Sequence, residues 1–524
     1  MNPTFPGSPR TVSAGLLVAT YEQGSVRNIR LGSREVLRRV YFAVRDQDWN
    51  TVPAKITHEE IVASENGFDI RLSVEHSAQD IDFRWIGVIS GTVEHGIRFS
   101  VEGEVKTEFL RNRIGLCILH PLEFCANQTC QVEHADGTLE SSRFPDSVSP
   151  HQPFLNVRAI SHQPYPGVSV EVRMTGDVFE TEDQRNWSDG SFKTYSTPLA
   201  LPYPTLVHPG DQVNQRVEVT VRGNLPPTAV APRDSIEITL DRENPKPVGA
   251  IGAVWDRLAK PDSLAHLRVD VILSDDSWAD TLQAAAGRGI PLEIAIFPSD
   301  ASRDLPALHS AIRRLRSNIA RLMIFLKHDT PSQPDAVAIA RELFKGVAIG
   351  GGSHTNFAEL NRNRDLVEPL DFVTWPIPRV HATDDDTMIE NLEGQSPAVS
   401  TARGFSGDRP LSISPVLVPE FPASSGWIAV SLKHLLTAGI SSVTYQTSDP
   451  ILTQICEFHA AAAIPSRSSS PLIADALVLR NSVGETAWIA NFHPEPQTLR
   501  MGGQTLTVGA YDVRRIELGR ARWP

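Results

Sequence analysis

Short runs of alternating apolar and polar residues fill the first part of the chain, from about residue 13 to residue 221. Residues 68–74, 97–101 and 217–221 are clear examples, and turn-forming residues separate one run from the next. A period of two residues is typical of strands with one buried face, and no stretch of this region has a convincing helical period. The pattern predicts an all-β domain over residues 1–223, organised as a two-sheet sandwich.

Beyond residue 247 the pattern becomes an alternation of buried strands and amphipathic helices. Helical stretches are predicted at residues 278–288, 305–315, 335–344 and 430–436. Strands are predicted at residues 248–254, 266–273, 292–297, 321–326, 347–351, 372–377, 411–418 and 442–446. Eight strand–helix units in about 200 residues predict a (β/α)8 TIM-type barrel over residues 248–455.

Two further segments complete the predicted multidomain organisation. Residues 224–247 contain Pro226-Pro227 and Pro245-Lys246-Pro247 and are interpreted as a linker between the sandwich and the barrel. Alternation returns after residue 473, which predicts a small C-terminal β-domain over residues 456–524.

Composition and charge limit the kinds of partner. The 524 residues carry a net charge of −13, and Lys and Arg form no run or stripe, which argues against nucleic acid and against an anionic membrane surface. No apolar run approaches the roughly 20 residues of a membrane span, and no secretory signal is recognised, so we expect a cytoplasmic protein. The charge suits a small neutral or weakly charged substrate. Nothing in the sequence requires a cofactor or indicates an oligomeric state.

The cysteines do not suggest a metal or disulfide framework. None of the four follows a CxxC spacing, and in a reducing compartment they are expected to be packed thiols. They are Cys117, Cys125, Cys130 and Cys456.

The densest collection of polar groups lies at residues 179–195, late in the predicted sandwich. Trp187, Phe192 and Tyr195 would hold this segment against a surface, so that its polar groups converge instead of pointing into water. We therefore predict a functional loop with Glu182 as a catalytic candidate. The predicted substrate-binding residues of the loop are Asp183, Arg185, Asn186, Asp189 and Lys193.

The C-terminal ends of barrel strands provide the second set of candidates, because active sites of such barrels lie there. The fifth strand runs into Gly350-Gly351-Gly352 and then delivers His354, Asn356 and Glu359. The glycines lack the Lys of a P-loop and the spacing of a dinucleotide fingerprint, which argues against nucleotide binding. We take Glu359 as a catalytic candidate and His354 and Asn356 as substrate-binding residues.

Later strands add further polar groups to the same predicted rim. His381 follows the sixth strand and is a third catalytic candidate, while the neighbouring Asp384–Asp386 triplet is better explained as a helix cap. Glu420 follows the seventh strand and is a predicted substrate-binding residue. Tyr445 and Gln446 end the eighth strand and are expected to reach the rim.

Charged residues inside the predicted strands have two explanations. Arg268 and Asp270 share one face of the second strand, and a structural ion pair inside the barrel explains them about as well as a site does. Glu293 on the third strand and Lys327 at the end of the fourth belong to the same group. In the sandwich, His120 is interpreted as structural, although it could reach the loop that carries Glu182.

Four stretches of the chain resemble the D-apionate lactonase family of bacterial sugar-acid catabolism: residues 111–121, 182–195, 354–362 and 378–382. The resemblance extends over all three predicted regions. It implies hydrolysis of a sugar-acid lactone, in which a five-membered ring ester opens to the free aldonate. It also implies a β-domain, a barrel and a second β-domain, in agreement with the hydrophobic pattern. No residue role is taken from the family.

Lactone opening requires a base to activate water, donors for the tetrahedral oxyanion, and an acid for the leaving alkoxide. The chain has no Gly-x-Ser-x-Gly elbow, which argues against a serine esterase. Glu182, Glu359 and His381 are the predicted catalytic groups, and Lys193, Arg185 or Asn356 the predicted oxyanion donors. A divalent metal held by His354, His381 and an acid is a weaker alternative, because no HxH or HExxH spacing supports it.

Two other functions remain open from the sequence. A glycoside hydrolase could use Glu359 and Glu420 as its carboxylate pair, and a separation of about 5 Å would favour a retaining mechanism. A non-catalytic carbohydrate-binding protein would instead expose aromatic rings in a shallow groove without a converging acid and base.

Overall fold

A computed structural model describes residues 9–65, 67–224, 235–256, 263–315, 318–325, 334–378 and 385–519. These divide into two compact units. The first unit consists of two segments, one ending at Gln184 and one running from Ser191 to Pro232. The second unit consists of Arg185–Gly190 and the chain from Arg233 onward. A six-residue segment in the predicted functional loop therefore packs with the barrel unit.

The first unit is made almost entirely of strands, as predicted. They are β1 Arg10–Ala14, β2 Leu17–Glu22, β3 Ser25–Leu31, β4 Arg34–Asp46, β5 Ala54–Ala63, β6 Phe68–Ala78, β7 Ile81–Thr92, β8 Gly96–Val105, β9 Phe109–Pro121, β10 Thr129–His134, β11 Leu139–Arg143, β12 Phe154–Tyr165, β13 Val168–Thr175, β14 Phe179–Asp183, β15 Ser191–Tyr195, β16 Thr205–Val207 and β17 Gln212–Arg222. The short helix α1, Leu122–Cys125, follows β9.

These strands form two arms that share β12. One arm continues through β13, β17, β8, β7, β6 and β5. The other continues through β14, β15, β9, β4, β3, β2 and β1. Strand β1 returns to contact β6 and β7, so the two arms face each other around one apolar core. This confirms the predicted β-rich domain and its sandwich character.

Alternation explains why these residues form the sandwich. Buried and solvent-facing positions alternate along β6 and β7, and the buried positions carry large residues such as Phe68, Phe83 and Trp85. The apolar face of such a strand would be exposed to water, at a cost in free energy, unless a second sheet covered it. The two arms provide that cover for each other.

The second unit contains a closed barrel of eight strands in chain order. All neighbouring pairs are parallel. The strands, numbered after β18 Ile236–Leu240 and β19 Lys246–Pro247, are β20 Ala250–Val254, β21 His266–Ile272, β22 Leu292–Phe297, β23 Ile319–Ile324, β24 Ile349–Gly352, β25 Phe372–Ile377, β26 Leu411–Leu417 and β27 Ser442–Gln446. All eight predicted strands are confirmed, with ends shifted by two residues or fewer within the described chain.

Helices cover the outside of the barrel. Those described are α2 Trp278–Ala286, α3 Ala301–Ile312, α4 Pro334–Leu343, α5 Phe357–Arg362, α6 Asp385–Glu390, α7 Leu392–Ser406, α8 Ser424–Thr437 and α9 Pro450–Glu457. Tyr445 shows how a strand contacts this layer: it donates a hydrogen bond to Ser431 of α8 at 2.9 Å and is fully buried. The prediction that Tyr445 reaches the rim is therefore wrong.

The C-terminal strands pair with strands from the predicted linker. They are β28 Ala462–Ile464, β29 Ser466–Ser468, β30 Ala474–Arg480, β31 Glu485–Asn491, β32 Gln497–Met501, β33 Gln504–Val508 and β34 Val513–Gly519. Strand β18 pairs with β29 and β32, and β19 pairs with β28. Residues 236–247 are thus part of the C-terminal sheets, while the predicted domain boundaries otherwise remain predictions.

Candidate functional site

The N-terminal half of the barrel interior contains a buried charged network centred on Glu293, which is completely inaccessible. Arg321 on the next strand donates to Glu293 Oε2 at 2.6 Å. Thr444 donates to Glu293 Oε1 at 3.0 Å, and Ser414 donates to the same oxygen. His266 Nε2 lies 2.7 Å from Thr444 Oγ1. Every participant is buried or nearly so, which is typical of a structural network.

Electrostatics keep Glu293 ionised in this setting. Burial by itself raises the pKa of Glu293, but the surrounding His266, Arg321 and Arg268 outweigh it and lower the pKa to about 2. Burial lowers the pKa of His266, so the two guanidinium groups supply the permanent positive charge. The network is a set of compensated charges inside a closed part of the barrel.

Arg268 carries this network toward the C-terminal end of the barrel. Its Nη1 donates to Ser414 Oγ at 3.0 Å, across the barrel interior, so the side chain points inward. Its Nε donates to Asp270 Oδ1 at 2.7 Å. Asp270 lies two residues further along the same strand and therefore also faces inward. The ion pair considered from the sequence is confirmed.

Asp270 differs sharply from its partner in exposure. The Asp270 side chain is 47% exposed, whereas the Arg268 side chain is 3% exposed. Gln446, at the end of the eighth strand and on the same inward face as Thr444, is also exposed. The interior of the barrel is thus accessible at its C-terminal end. This opening, lined in part by Asp270 and Gln446, is called the barrel mouth below.

His354 lies on an aromatic surface at the same end of the barrel. Its ring centroid is 5.6 Å from that of Phe297, which ends the third strand, and 5.7 Å from that of Phe325, which follows the fourth strand. Phe325 belongs to an apolar cluster inside the barrel. The predicted placement of His354 at the strand ends agrees with these contacts.

Asn356 and Glu359 form a helix cap. Asn356 Oδ1 accepts a hydrogen bond from the Glu359 backbone N–H at 3.1 Å and caps α5. Glu359 Oε2 accepts from Ser353 Oγ at 2.6 Å and from Thr355 Oγ1 at 2.9 Å. An acid three residues after an N-cap is a common capping arrangement. Two neighbouring hydroxyl groups therefore account for one oxygen of the Glu359 carboxylate.

The Glu420 turn follows the seventh strand. Glu420 is exposed, and the turn is fixed by Ser424 Oγ, which donates to the Pro419 carbonyl oxygen at 2.7 Å and accepts from the Phe421 N–H at 3.0 Å. The predicted position of Glu420 after the strand is confirmed, and its substrate-binding role stays a prediction.

In the first unit, Glu182 and Lys193 are opposite residues on the antiparallel strands β14 and β15. Gln184 joins them: its Nε2 donates to Glu182 Oε2 at 2.7 Å, and its Oε1 accepts from Lys193 Nζ at 3.2 Å. Both charged side chains are partly exposed. The hairpin thus presents a carboxylate and an ammonium in fixed register.

A buried tyrosine lies in the next row of the same hairpin. Tyr195 donates to Glu180 Oε1 at 2.7 Å, and Lys193 Nζ lies 5.4 Å from the Tyr195 ring centroid. Burial, followed by the negative charges of Glu182 and Glu180, raises the pKa of Tyr195. The phenol therefore remains a hydrogen-bond donor at neutral pH.

The opposite face of the hairpin is buried. Asp183 is fully buried and accepts from the Ser149 backbone N–H at 2.9 Å. His120 is buried, and its Nε2 lies 2.9 Å from Thr194 Oγ1. Because side chains alternate across a strand, His120 is on the face opposite Lys193. His120 therefore reaches the loop that carries Glu182, as suggested, but it contacts that loop at Thr194, on the face opposite Lys193.

Residues 185–190 contact helices that follow the fifth and sixth barrel strands. Asn186 Oδ1 accepts from Asn361 Nδ2 at 3.0 Å, and Arg362 lies 5.1 Å above the Trp187 ring. A Cβ at Gly190 would come within 2.2 Å of the Glu390 carbonyl oxygen, so this contact requires glycine. Arg185 and Asn186 are buried and Asp189 is partly exposed.

Some predicted residues lie outside the described part of the chain, namely His381, Asp384 and Lys327.

Among the described residues, no group of three or more His, Cys, Asp or Glu side chains is arranged to hold a metal ion. None of the described helices is both long and apolar enough to cross a membrane. All four cysteines are buried free thiols, as predicted.

The fold and the polar mouth define a multidomain barrel protein with a β-rich N-terminal domain and additional C-terminal strands. Its sequence matches the family models for the D-apionate lactonase N-terminal domain over residues 3–224 and for the D-apionate lactonase TIM barrel domain over residues 250–429. It is 33% identical over 446 residues to a D-apionate lactonase of Brucella anthropi, an alignment that covers 78% of this chain and 73% of that protein. The chain belongs to the D-apionate lactonase family.

Solved structures show more distant similarity. CelM2, a bifunctional glucanase-xylanase from a metagenome library, is 10% identical with a TM-score of 0.43, covering 55% of this chain and 99% of that one. A Paenibacillus polymyxa xyloglucanase from glycoside hydrolase family 44 is 8% identical with a TM-score of 0.41, covering 54% and 99%. Similarity at this level has no bearing on the reaction.

Proposed function

We propose that this protein hydrolyses the lactone of a sugar acid, with D-apionolactone or a closely related five-membered lactone as substrate, and releases the free aldonate. The observation that carries the proposal is the 33% identity with a D-apionate lactonase across 78% of the chain. The family matches in both the β-rich domain and the barrel support it. A reaction in bacterial carbohydrate catabolism is the corresponding metabolic role.

The reaction places definite demands on the protein. Water adds to the lactone carbonyl carbon while a base takes one of its protons, and the ring C–O bond then breaks as the alkoxide receives a proton. The intermediate oxyanion requires donors or a cation. Glu182, Glu359 and His381 are the proposed candidates for proton transfer.

The surroundings of the two described carboxylates favour Glu182 over Glu359 as the base. Glu182 is partly exposed and is joined through Gln184 to Lys193, which could stabilise an oxyanion. Glu359 instead accepts two hydroxyl hydrogen bonds within a helix cap. Removing a general base lowers kcat by about 10²- to 10⁴-fold. We expect that loss for Glu182→Gln and a loss of less than about 10-fold for Glu359→Gln.

The test of the reaction is pH-stat hydrolysis of five- and six-membered aldonolactones, including D-apionolactone, beside nitrophenyl glycosides, with and without a chelator. Rapid opening of a five-membered lactone that survives chelation is the expected result. Glycoside cleavage with inert lactones would contradict the proposal and direct attention to Glu359 and Glu420. Sugar binding without turnover of either panel would indicate a binding protein.

A further inference from the structure

One carboxylate in the barrel mouth is not among the candidates predicted from the sequence. Asp270 faces the barrel interior, yet its side chain is 47% exposed. A solvent-accessible acid on the inner face of a closed barrel can be reached by a molecule that enters the mouth. The strand position, near the C-terminal end, is where barrel enzymes place residues that contact substrate.

The position of the Asp270 carboxylate is fixed by Arg268, which lies deeper in the barrel interior. Arg268 donates to Asp270 Oδ1 at 2.7 Å and to Ser414 Oγ at 3.0 Å, and Ser414 donates to Glu293. Arg268 is 3% exposed, so it has little freedom to move. Among the described residues, the hydrogen bonds of Asp270 use only Oδ1, which leaves Oδ2 to accept from a ligand.

The surroundings match a hydroxyl-rich ligand. A carboxylate oxygen accepts two hydrogen bonds and is well suited to adjacent hydroxyl groups, and hydrogen bonds to charged acceptors are stronger than neutral ones. Gln446, which faces the same interior, adds an amide that can donate and accept. Ile272, two residues beyond Asp270, is half exposed and gives the mouth an apolar side for carbon atoms.

We propose that Asp270 binds the hydroxyl groups of the sugar-acid substrate in the barrel mouth, with Arg268 as the residue that positions its carboxylate. This inference rests on the proposed function and identifies how the site would select hydroxylated lactones over plain ones. It gives Asp270 a role in substrate binding and leaves bond-breaking steps to other groups.

The first experiment measures KM and kcat separately for Asp270→Asn. Its substrates are D-apionolactone and γ-butyrolactone, which has the same ring size and no hydroxyl groups. Loss of hydrogen bonds to a charged acceptor weakens binding by roughly 10- to 100-fold. We expect KM for D-apionolactone to rise by about that factor with kcat within about threefold, and kinetics with γ-butyrolactone to stay unchanged.

The matched control is Asp280→Asn, which removes an exposed carboxylate from α2, the helix after the same strand. It should leave both substrates unaffected. A fall in kcat for Asp270→Asn without a rise in KM, or equal losses with both lactones, would overturn the inference. Arg268→Lys keeps the charge but not the two-pronged geometry of the guanidinium group. It should raise KM for D-apionolactone by less than Asp270→Asn does, at unchanged kcat.

A binding measurement separates this inference from the proposed reaction. Saturation-transfer NMR with erythronate, a trihydroxy acid, is compared with butyrate for the wild-type protein and for Asp270→Asn. We expect wild type to bind erythronate in preference to butyrate, and the variant to lose that preference. If no lactone is hydrolysed but this preference depends on Asp270, the proposed function fails and the inference stands. If wild type shows no preference, the inference fails even where lactones are hydrolysed.

Discussion

The acidic side chains in the two halves of the barrel interior differ in exposure and in hydrogen-bond partners. Toward the N-terminal ends of the strands, Glu293 is inaccessible and its oxygens accept from Arg321, Thr444 and Ser414. Toward the C-terminal ends, Asp270 accepts from Arg268 and is about half exposed. The first arrangement contributes to stability only while every charge is compensated. In the second, no described residue donates a hydrogen bond to Asp270 Oδ2, so that oxygen can accept from a ligand.

Arg268 connects the two halves, since it contacts Ser414 on one side and Asp270 on the other. Residue type alone therefore does not separate a structural acid from a functional one. Both acids lie on barrel strands beside arginines, and exposure distinguishes them. The N-terminal half, which contains Glu293, is called the closed half below. Variants that change stability are expected in the closed half, and variants that change substrate use are expected in the barrel mouth.

The largest effect is expected from Glu293→Gln. Removal of this charge leaves Arg321 without its buried counter-ion, and breaking a buried ion pair typically costs about 3–5 kcal/mol. We expect the free energy of unfolding to fall by about that amount in urea titrations followed by circular dichroism. Asp270→Asn serves as the control and should change stability by less than about 1 kcal/mol, because its ion pair is half exposed. Equal losses in the two variants would remove the distinction between the halves.

Acid titration gives an independent test of the closed half. The pKa of Glu293 is lowered to about 2 in the folded protein from an ordinary value of 4.5. The unfolded chain therefore binds the proton first as pH falls, so stability from this group is complete above pH 4.5 and is lost between 4.5 and 2. The slope is about 1.4 kcal/mol per pH unit.

Unfolding measured across this range should show the slope in wild type and lose it in Glu293→Gln. The wild-type profile also contains the buried histidines His120 and His162, whose pKa values burial lowers to about 3 and about 4. Their stabilisation is present above about pH 6.5 and is lost as pH falls through those values, so the difference between wild type and variant is the quantity to compare. A difference that does not depend on pH would contradict the assignment.

In the mouth, His354→Ala should affect activity more than stability. The ring contacts Phe297 and Phe325 by edge and tilted packing, which is worth about 0.5–1.5 kcal/mol. We expect a stability loss in that range and a decrease of about 10-fold or more in kcat/KM for the best lactone. His309 of α3, whose ring centroid lies 5.2 Å from that of Phe344 just after α4, provides the control. His309→Ala should cost similar stability and no activity.

The sequence predicted the barrel well because its signals are local. Eight apolar runs separated by amphipathic helices locate the strands without knowledge of their partners. The sequence predicts a linker where β18 and β19 lie, because each strand is short and pairs with strands more than 200 residues away. No local pattern reports such a pairing.

Which way a side chain points was harder to predict. Barrel strands are buried on both faces, so periodicity could not show that Tyr445 faces α8 and Gln446 the interior. The register that places His120 away from Lys193 depends on pairing between β9 and β15. The shared face of Arg268 and Asp270 was visible in the sequence, but the exposure that separates their roles was not.

The smallest effect is expected at the Asn356 cap, which lies at the mouth end of the fifth strand but resembles the closed half in its bonding. Its Oδ1 accepts from the Glu359 N–H at 3.1 Å, and loss of an N-cap costs about 1 kcal/mol. Asn356→Ala should therefore lower the free energy of unfolding by about that amount with kcat within about threefold, and Asn356→Asp, which also caps helices well, should recover the stability. A kcat loss in Asn356→Ala that Asn356→Asp does not recover would instead support the predicted contact of the Asn356 amide with the substrate or the oxyanion. That result would show that position at the mouth, more than hydrogen-bond satisfaction, determines which polar residues act.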